Sequence, residues 1–151
     1  QDSSPVLSSQ KTESPANGAG LVRMKDSQDR RKIITGRAGE AMAADFLKRR
    51  GYRILEMNYR CSIGEIDMVA REKDALVFVE VNTRKSGAMG YPEQAVGLVK
   101  QKKMSQLALW YLRDKNIGDA AVRFDVVAIL LLPSGNDIRL IRGAFDFIAL
   151  E

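Results

Sequence analysis

Gly64-Glu-Ile-Asp-Met-Val-Ala-Arg-Glu-Lys-Asp-Ala-Leu-Val-Phe-Val-Glu-Val-Asn82 reads as two strands joined by a short polar turn, each carrying acids inside a run that otherwise favours burial. Period-two alternation puts Glu65 and Asp67 on one face of the first strand and Glu80 and Asn82 on one face of the second. Val77, Val79 and Val81 lie on the other face. An ionised carboxylate at the end of an apolar strand is expensive unless a cation neutralises it. The economical reading is a divalent-metal site built from Asp67 and Glu80, of Mg²⁺ or Mn²⁺, because hard oxygen donors suit those ions. The plain alternative is a pair of edge carboxylates satisfied by Arg or Lys.

Working outward, Gly36 to Arg50 has helical periodicity, and the face centred on Ala43, Ala44 and Leu47 also contains Glu40, so an acid points inward there. Gly51 ends that helix, and Tyr52 to Arg60 is predicted as a strand before a Cys-Ser-Ile-Gly turn into the acidic pair. Thr83 to Tyr91 is predicted as a loop, with basic Arg84 and Lys85 placed for phosphate contacts. Pro92 is predicted to open a long helix to about Lys115, and Val122–Leu131 and Ile138–Arg142 are the last strands. Residues 1–35, rich in Ser, Gln, Asn, Asp and Lys, are expected to form a flexible extension, leaving 36–151 as one domain of order αβββαββ.

On a wheel of the long helix, Val96, Val99, Met104, Leu107, Trp110 and Tyr111 form the apolar arc, and Lys100 and Lys103 fall inside it. Trp110 and Tyr111 are expected in the core rather than as stacking platforms for bases. Either both lysines snorkel along the core edge or at least one is drawn inward by the carboxylates. In the apolar run Phe124–Leu132, Asp125 is expected to form a structural ion pair with a core-facing arginine.

The chain of 151 residues has no histidine and one cysteine, Cys61. That removes Ser-His-Asp and Cys-His nucleophilic schemes, histidine-ligated zinc, cysteine-cluster metal sites and an intramolecular disulfide, and it fits a cytoplasmic location. No stretch approaches the roughly 18 apolar residues of a membrane span. The net charge is +5, and residues 36–151 carry 18 basic against 15 acidic side chains, so part of the surplus belongs to the domain. Anionic partners are favoured, nucleic acid first among them.

The succession Gly36-Arg-Ala-Gly-Glu40, Gly64-Glu-Ile-Asp67, Phe78-Val-Glu-Val81, Lys100 and Arg123-Phe-Asp-Val-Val127 resembles the YraN-like uncharacterised protein family, itself similar to archaeal Holliday-junction resolvases and other PD-(D/E)xK nucleases. The resemblance implies an α/β fold of the restriction-endonuclease-like type, a mixed sheet flanked by helices. It also implies that Asp67 bridges the metal, Glu80 is the second ligand and Glu40 reaches in from the first helix. The family pattern has a lysine two residues after the second acid, where this chain has Asn82. An amide can hydrogen-bond a water but supplies no positive charge, and Lys100 and Lys103 are the natural substitutes.

The function expected on these grounds is a Mg²⁺-dependent endonuclease acting on branched or structured DNA. Glu40, Asp67, Glu80, Asn82 and Lys100 form its catalytic set, and Arg84, Lys85 and Lys103 contact the nucleic acid. A symmetric homodimer is implied by the resemblance alone. The alternatives are a nucleic-acid-binding protein of the same fold, its catalysis weakened or lost through Asn82, and a scaffold whose acids are only structural.

Overall fold

The computed structural model describes residues 36–85 and 96–150. The proposed extension over residues 1–35 lies outside the described residues. The first helix, α1, covers 36–49, followed by β1 (Arg53–Cys61), β2 (Gly64–Glu72), β3 (Ala75–Lys85), α2 (Leu98–Asp114), β4 (Ala121–Leu132) and β5 (Gly135–Phe145). This is the predicted order αβββαββ. The sheet order is β1-β2-β3-β4-β5, antiparallel at every junction except β3–β4, which is parallel. The parallel pair follows from connectivity: antiparallel neighbours close through two-residue turns, whereas β3 can reach β4 in parallel only by a long crossover, and α2 supplies it.

Alternation along the strands supplies two cores, one for each face of the sheet. On one face α1 lays Ala43, Ala44, Phe46 and Leu47 on Met68, Ala70, Val77, Val79, Val127 and Ile129. On the other, α2 lays Met104, Leu107, Ala108 and Tyr111 on Ile66, Val69, Leu76, Phe78 and Phe124. The rings of Tyr59, Tyr111, Phe78, Phe124 and Phe145 run across this second core with neighbouring centroids 4.7–5.9 Å apart, edge-on at Tyr111 and stacked at Phe145. A strand covered on both faces reads as a continuous apolar run, as Leu76–Val79 does.

Three sequence expectations are corrected. The long helix begins at Leu98 rather than Pro92, which lies outside the described residues. Gly97 before it is extended, with φ −65° and ψ 159°, as befits the poorest helix former but proline. Thr83, Arg84 and Lys85 belong to β3 instead of a loop, because they pair with Ile129, Leu130 and Leu131 of β4. Val99 is 85% exposed and Trp110 36% exposed, so neither joins the core, whereas Tyr111 does. The buried stripe of α2 is Met104, Ser105, Leu107, Ala108 and Tyr111, so it turns away from the helix start. Of the two lysines left open between snorkelling and capture by the acids, Lys103 is exposed and Lys100 is the one that meets a carboxylate. Asp125 does find the expected arginine: it is fully buried and accepts hydrogen bonds from Arg123, from the Tyr52 hydroxyl and from the Gly143 N–H at 2.7–3.0 Å.

Candidate functional site

The ladder between β2 and β3 runs from Glu72↔Ala75 to Met68↔Val79. Beyond that rung β2 stays with β1, through Ile66 opposite Tyr59 and Glu65 opposite Arg60, while β3 stays with β4 as far as Lys85. Asp67 and Glu80 are the next residues on the two strands, so they stand where the sheet forks. Asp67 Oδ2 accepts the Val81 N–H at 2.8 Å, so a side chain takes the place of a ladder carbonyl and satisfies a backbone donor that the fork would orphan.

Glu80 alternates with Phe78 and therefore faces α2. In the first turn of that helix, Lys100 brings its Nζ to 2.8 Å from Glu80 Oε2, with the Glu80 side chain 15% exposed and the lysine 52%. This hydrogen bond holds the Lys100 ammonium above the usual lysine range. Asp67 is pushed up to about 7, first by burial and then by the like charge of Glu80, with Glu40 adding to it. The Val81 N–H and Lys100 act the other way and are outweighed.

Glu40 arrives from α1 because that helix lies close against β3. A Cβ at Gly39 would run into the Thr83 Oγ1, with Thr83 Cβ at 3.2 Å behind it, so only glycine allows this approach. Glu40 Oε1 accepts a 2.9 Å hydrogen bond from Asn58 Nδ2 on β1. The sequence reading missed Asn58. Its signal is an asparagine, depleted in strands, set within an otherwise regular strand pattern.

The other predicted residues sit apart from this centre to different degrees. Asn82 is half-buried on β3, two residues past Glu80 and opposite Ala128. Arg84 and Lys85 are exposed at the end of the same strand. Lys103 crosses the β1–β2 turn, its Cε 3.4 Å from where a Gly64 Cβ would stand. Glu65 is exposed and only loosely paired with Arg60 at 3.7 Å. A second charged cluster, unforeseen apart from Asp125, occupies the α1 face: buried Glu72 is bound by Arg123 and Arg142, each at 2.9 Å, and these hydrogen bonds hold its carboxyl below the usual range. Burial and the hydrogen bond to Asp125 push Tyr52, within the same cluster, up to about 12.

Among the described residues no three side chains of His, Cys, Asp and Glu close on one point. The pair at the fork nonetheless fits a hard divalent cation. Mg²⁺ is held by one or two carboxylates and completes its shell with water and phosphate, and such an ion would offset the burial and like charge that disfavour the Asp67 anion. Glu72 and Asp125 offer no such place, because arginines already neutralise them.

Residues 39–129 match the model of the uncharacterised protein family UPF0102. The chain is 52% identical over 114 residues to a UPF0102 protein of Syntrophus aciditrophicus, across 76% of this chain and 90% of the relative. It is 50% identical over 112 residues to one of Geotalea daltonii, across 74% and 88%, and 40% identical over 112 residues to one of Caldicellulosiruptor saccharolyticus, across 73% and 95%. The matched region takes in Glu40, Asp67, Glu80 and Lys100, and with it the protein belongs to the uncharacterised protein family UPF0102.

Proposed function

We propose that the protein is a Mg²⁺-dependent endonuclease acting on branched or otherwise structured DNA. The observation that carries this reading is that Asp67 and Glu80 are the first residues past the last β2–β3 rung, where the sheet forks, with Asp67 pushed up to about 7 by burial first and by its acidic neighbours second. The element order αβββαββ and the mixed sheet support a restriction-endonuclease-like fold. Asp67 and Glu80 would hold the ion, which supplies acidification of water and charge neutralisation at the phosphorus.

The remaining roles fall to the chain's own groups. Lys100 approaches Glu80 from α2 and supplies the cation that Asn82 lacks, steadying the phosphate or orienting the attacking water. The Asn82 amide donates or accepts one hydrogen bond on the same strand face. Arg84 and Lys85 at the end of β3, with Lys103 of α2, contact phosphates and position the duplex without reading its sequence. Symmetric cutting of both strands calls for two copies about a twofold axis, so the proposal includes a homodimer.

Asn82 favours a second reading, a nucleic-acid-binding protein of this fold whose catalysis is weak or lost. Incubation with junction, flap and duplex DNA in Mg²⁺ and in Mn²⁺ separates the two. Nicking by the wild type that disappears in Asp67→Ala and in Lys100→Ala supports the nuclease. Salt-sensitive binding without cleavage, in wild type and in Asn82→Lys alike, leaves the binding protein.

A further inference from the structure

We propose that Asn58 is a positioning residue that holds Glu40 at the fork, a role resting on the metal-site reading given above. Asn58 lies inside the nine-residue strand β1, yet its φ is 52°. A left-handed residue breaks the alternation of a strand and is unfavourable for most side chains, asparagine being the common exception to glycine. The register puts Tyr59 opposite Ile66 and Met57 opposite Met68, so Asn58 stands opposite Asp67. Asp67 in turn stands one step beyond the last rung with β3, where Glu80 follows. Asn58, Asp67 and Glu80 thus lie in line across three adjacent strands, and the irregular conformation falls on this line.

From that place Asn58 Nδ2 donates to Glu40 Oε1 at 2.9 Å. The donor is neutral, so it fixes the carboxylate without cancelling its charge, as an arginine or lysine in the same place would. Two devices then fix one acid. The contact of Gly39 with Thr83 sets the backbone next to Glu40, and the Asn58 amide sets its side chain. Glu40 already acts on Asp67 through its charge. A carboxylate held in this way adds to the attraction for a divalent ion without itself being a ligand, and partners of that kind govern metal affinity.

The test uses the full chain and Mn²⁺ alone. Asn58→Gly keeps the left-handed backbone free of strain and removes the amide, so its thermal midpoint should stay near that of the wild type while calorimetry shows Mn²⁺ affinity lowered roughly tenfold, as for other outer partners of metal ligands. Glu40→Gln should show a similar loss, and the double variant should bind no more weakly than Glu40→Gln, because once the carboxylate is gone Asn58 has no charge left to hold in place. Independently of any metal, the Asn58 side-chain amide resonances of the ¹⁵N-labelled protein should move when Glu40 becomes glutamine. Mn²⁺ binding unchanged in Asn58→Gly, additive losses in the double variant, or Asn58 resonances indifferent to Glu40→Gln would each overturn the proposal while the metal site stands. A wild type that takes up no Mn²⁺ overturns the metal site itself, and the role of Asn58 with it.

Discussion

Lys100 holds Glu80 Oε2 as a tethered ammonium at 2.8 Å. On the proposed reading a divalent ion held by Asp67 and Glu80 would compete with that ion pair, and a half-exposed ion pair is weak enough to open. Lys100→Met should therefore raise Mn²⁺ affinity several-fold, by leaving Asp67 and Glu80 without their counter-ion, while abolishing cleavage; calorimetry beside a nicking assay reads the two opposite signs. A weaker Mn²⁺ affinity in Lys100→Met would show that the lysine organises the acids instead of competing for them. Asp67 carries a pH signature of its own. Its carboxyl is pushed from an ordinary value of 3.8 to about 7, so the protonated form is favoured in the folded state. The resulting contribution to stability is present at low pH and is lost as pH rises from near 4 through about 7. In metal-free protein, Asp67→Asn should thus gain on the wild type between pH 5 and pH 8 by about 1–2 kcal/mol, less than the full shift implies because the site is partly solvated. Urea unfolding at the two pH values measures it, and a pH-independent difference would remove the buried-acid account.

At the scale of elements, the site exists because α1 and α2 are pinned at particular points on the sheet. Gly39 over Thr83 is one of them, and of the described glycines it is the one where an added Cβ would meet the closest neighbour. Gly39→Ala should lose about 1–3 kcal/mol of stability through overpacking, although alanine is the better helix former. Thr83→Ala added to Gly39→Ala should recover more than half of the loss, and a double-mutant cycle by thermal unfolding would show the coupling; additive effects would mean that the helix does not rest there. Such contacts explain what the sequence could show. The paired strands, the helix carrying Glu40 and the crossover were legible because apolar period changes from 2 to 3.6 at their borders, and Asp67 and Glu80 stood out as acids within apolar runs. The fork was not legible, since nothing local tells that β2 joins β3 only from Met68 onward. The start of α2 was misplaced because Pro92 and Gly97 are competing boundary signals, and the glycine prevailed. The helical wheel alone put Lys100 and Lys103 on equal terms, because an arc drawn with Val99 and Trp110 rotates the helix away from its true face, and the family resemblance is what singled out Lys100. Glu72 escaped notice because its partners Arg123 and Arg142 come from strands far along the chain.

Across the whole molecule, the buried and half-buried acids follow two opposite designs. On the α1 face, Glu72 and Asp125 are matched by Arg123 and Arg142 and further satisfied by Tyr52 and the Gly143 N–H, which ties β5 and the start of β1 to the middle of the sheet. At the fork, Glu40, Asp67 and Glu80 gather with a single ion pair, that of Lys100 with Glu80, among their described contacts. Breaking a matched buried pair strands a charge, whereas removing one member of a crowded like-charged set relieves repulsion. Arg123→Met should therefore destabilise the protein by about 3–5 kcal/mol, leaving Asp125 fully buried without its guanidinium. Glu80→Gln should behave in the opposite way in metal-free protein at pH 8. It gives up the half-exposed bond to Lys100, worth at most about 1 kcal/mol, and frees Asp67 from the larger of its two acidic neighbours, so stability should hold or rise while Mn²⁺ uptake is lost. Thermal unfolding of both variants with and without Mn²⁺ compares the designs directly. Added Mn²⁺ should raise the midpoint of the wild type and of Arg123→Met but not of Glu80→Gln, because an ion bound only by the folded state stabilises it by mass action. A large loss of stability in metal-free Glu80→Gln would show that the fork is held together by its charges, and the contrast between the two clusters would fail.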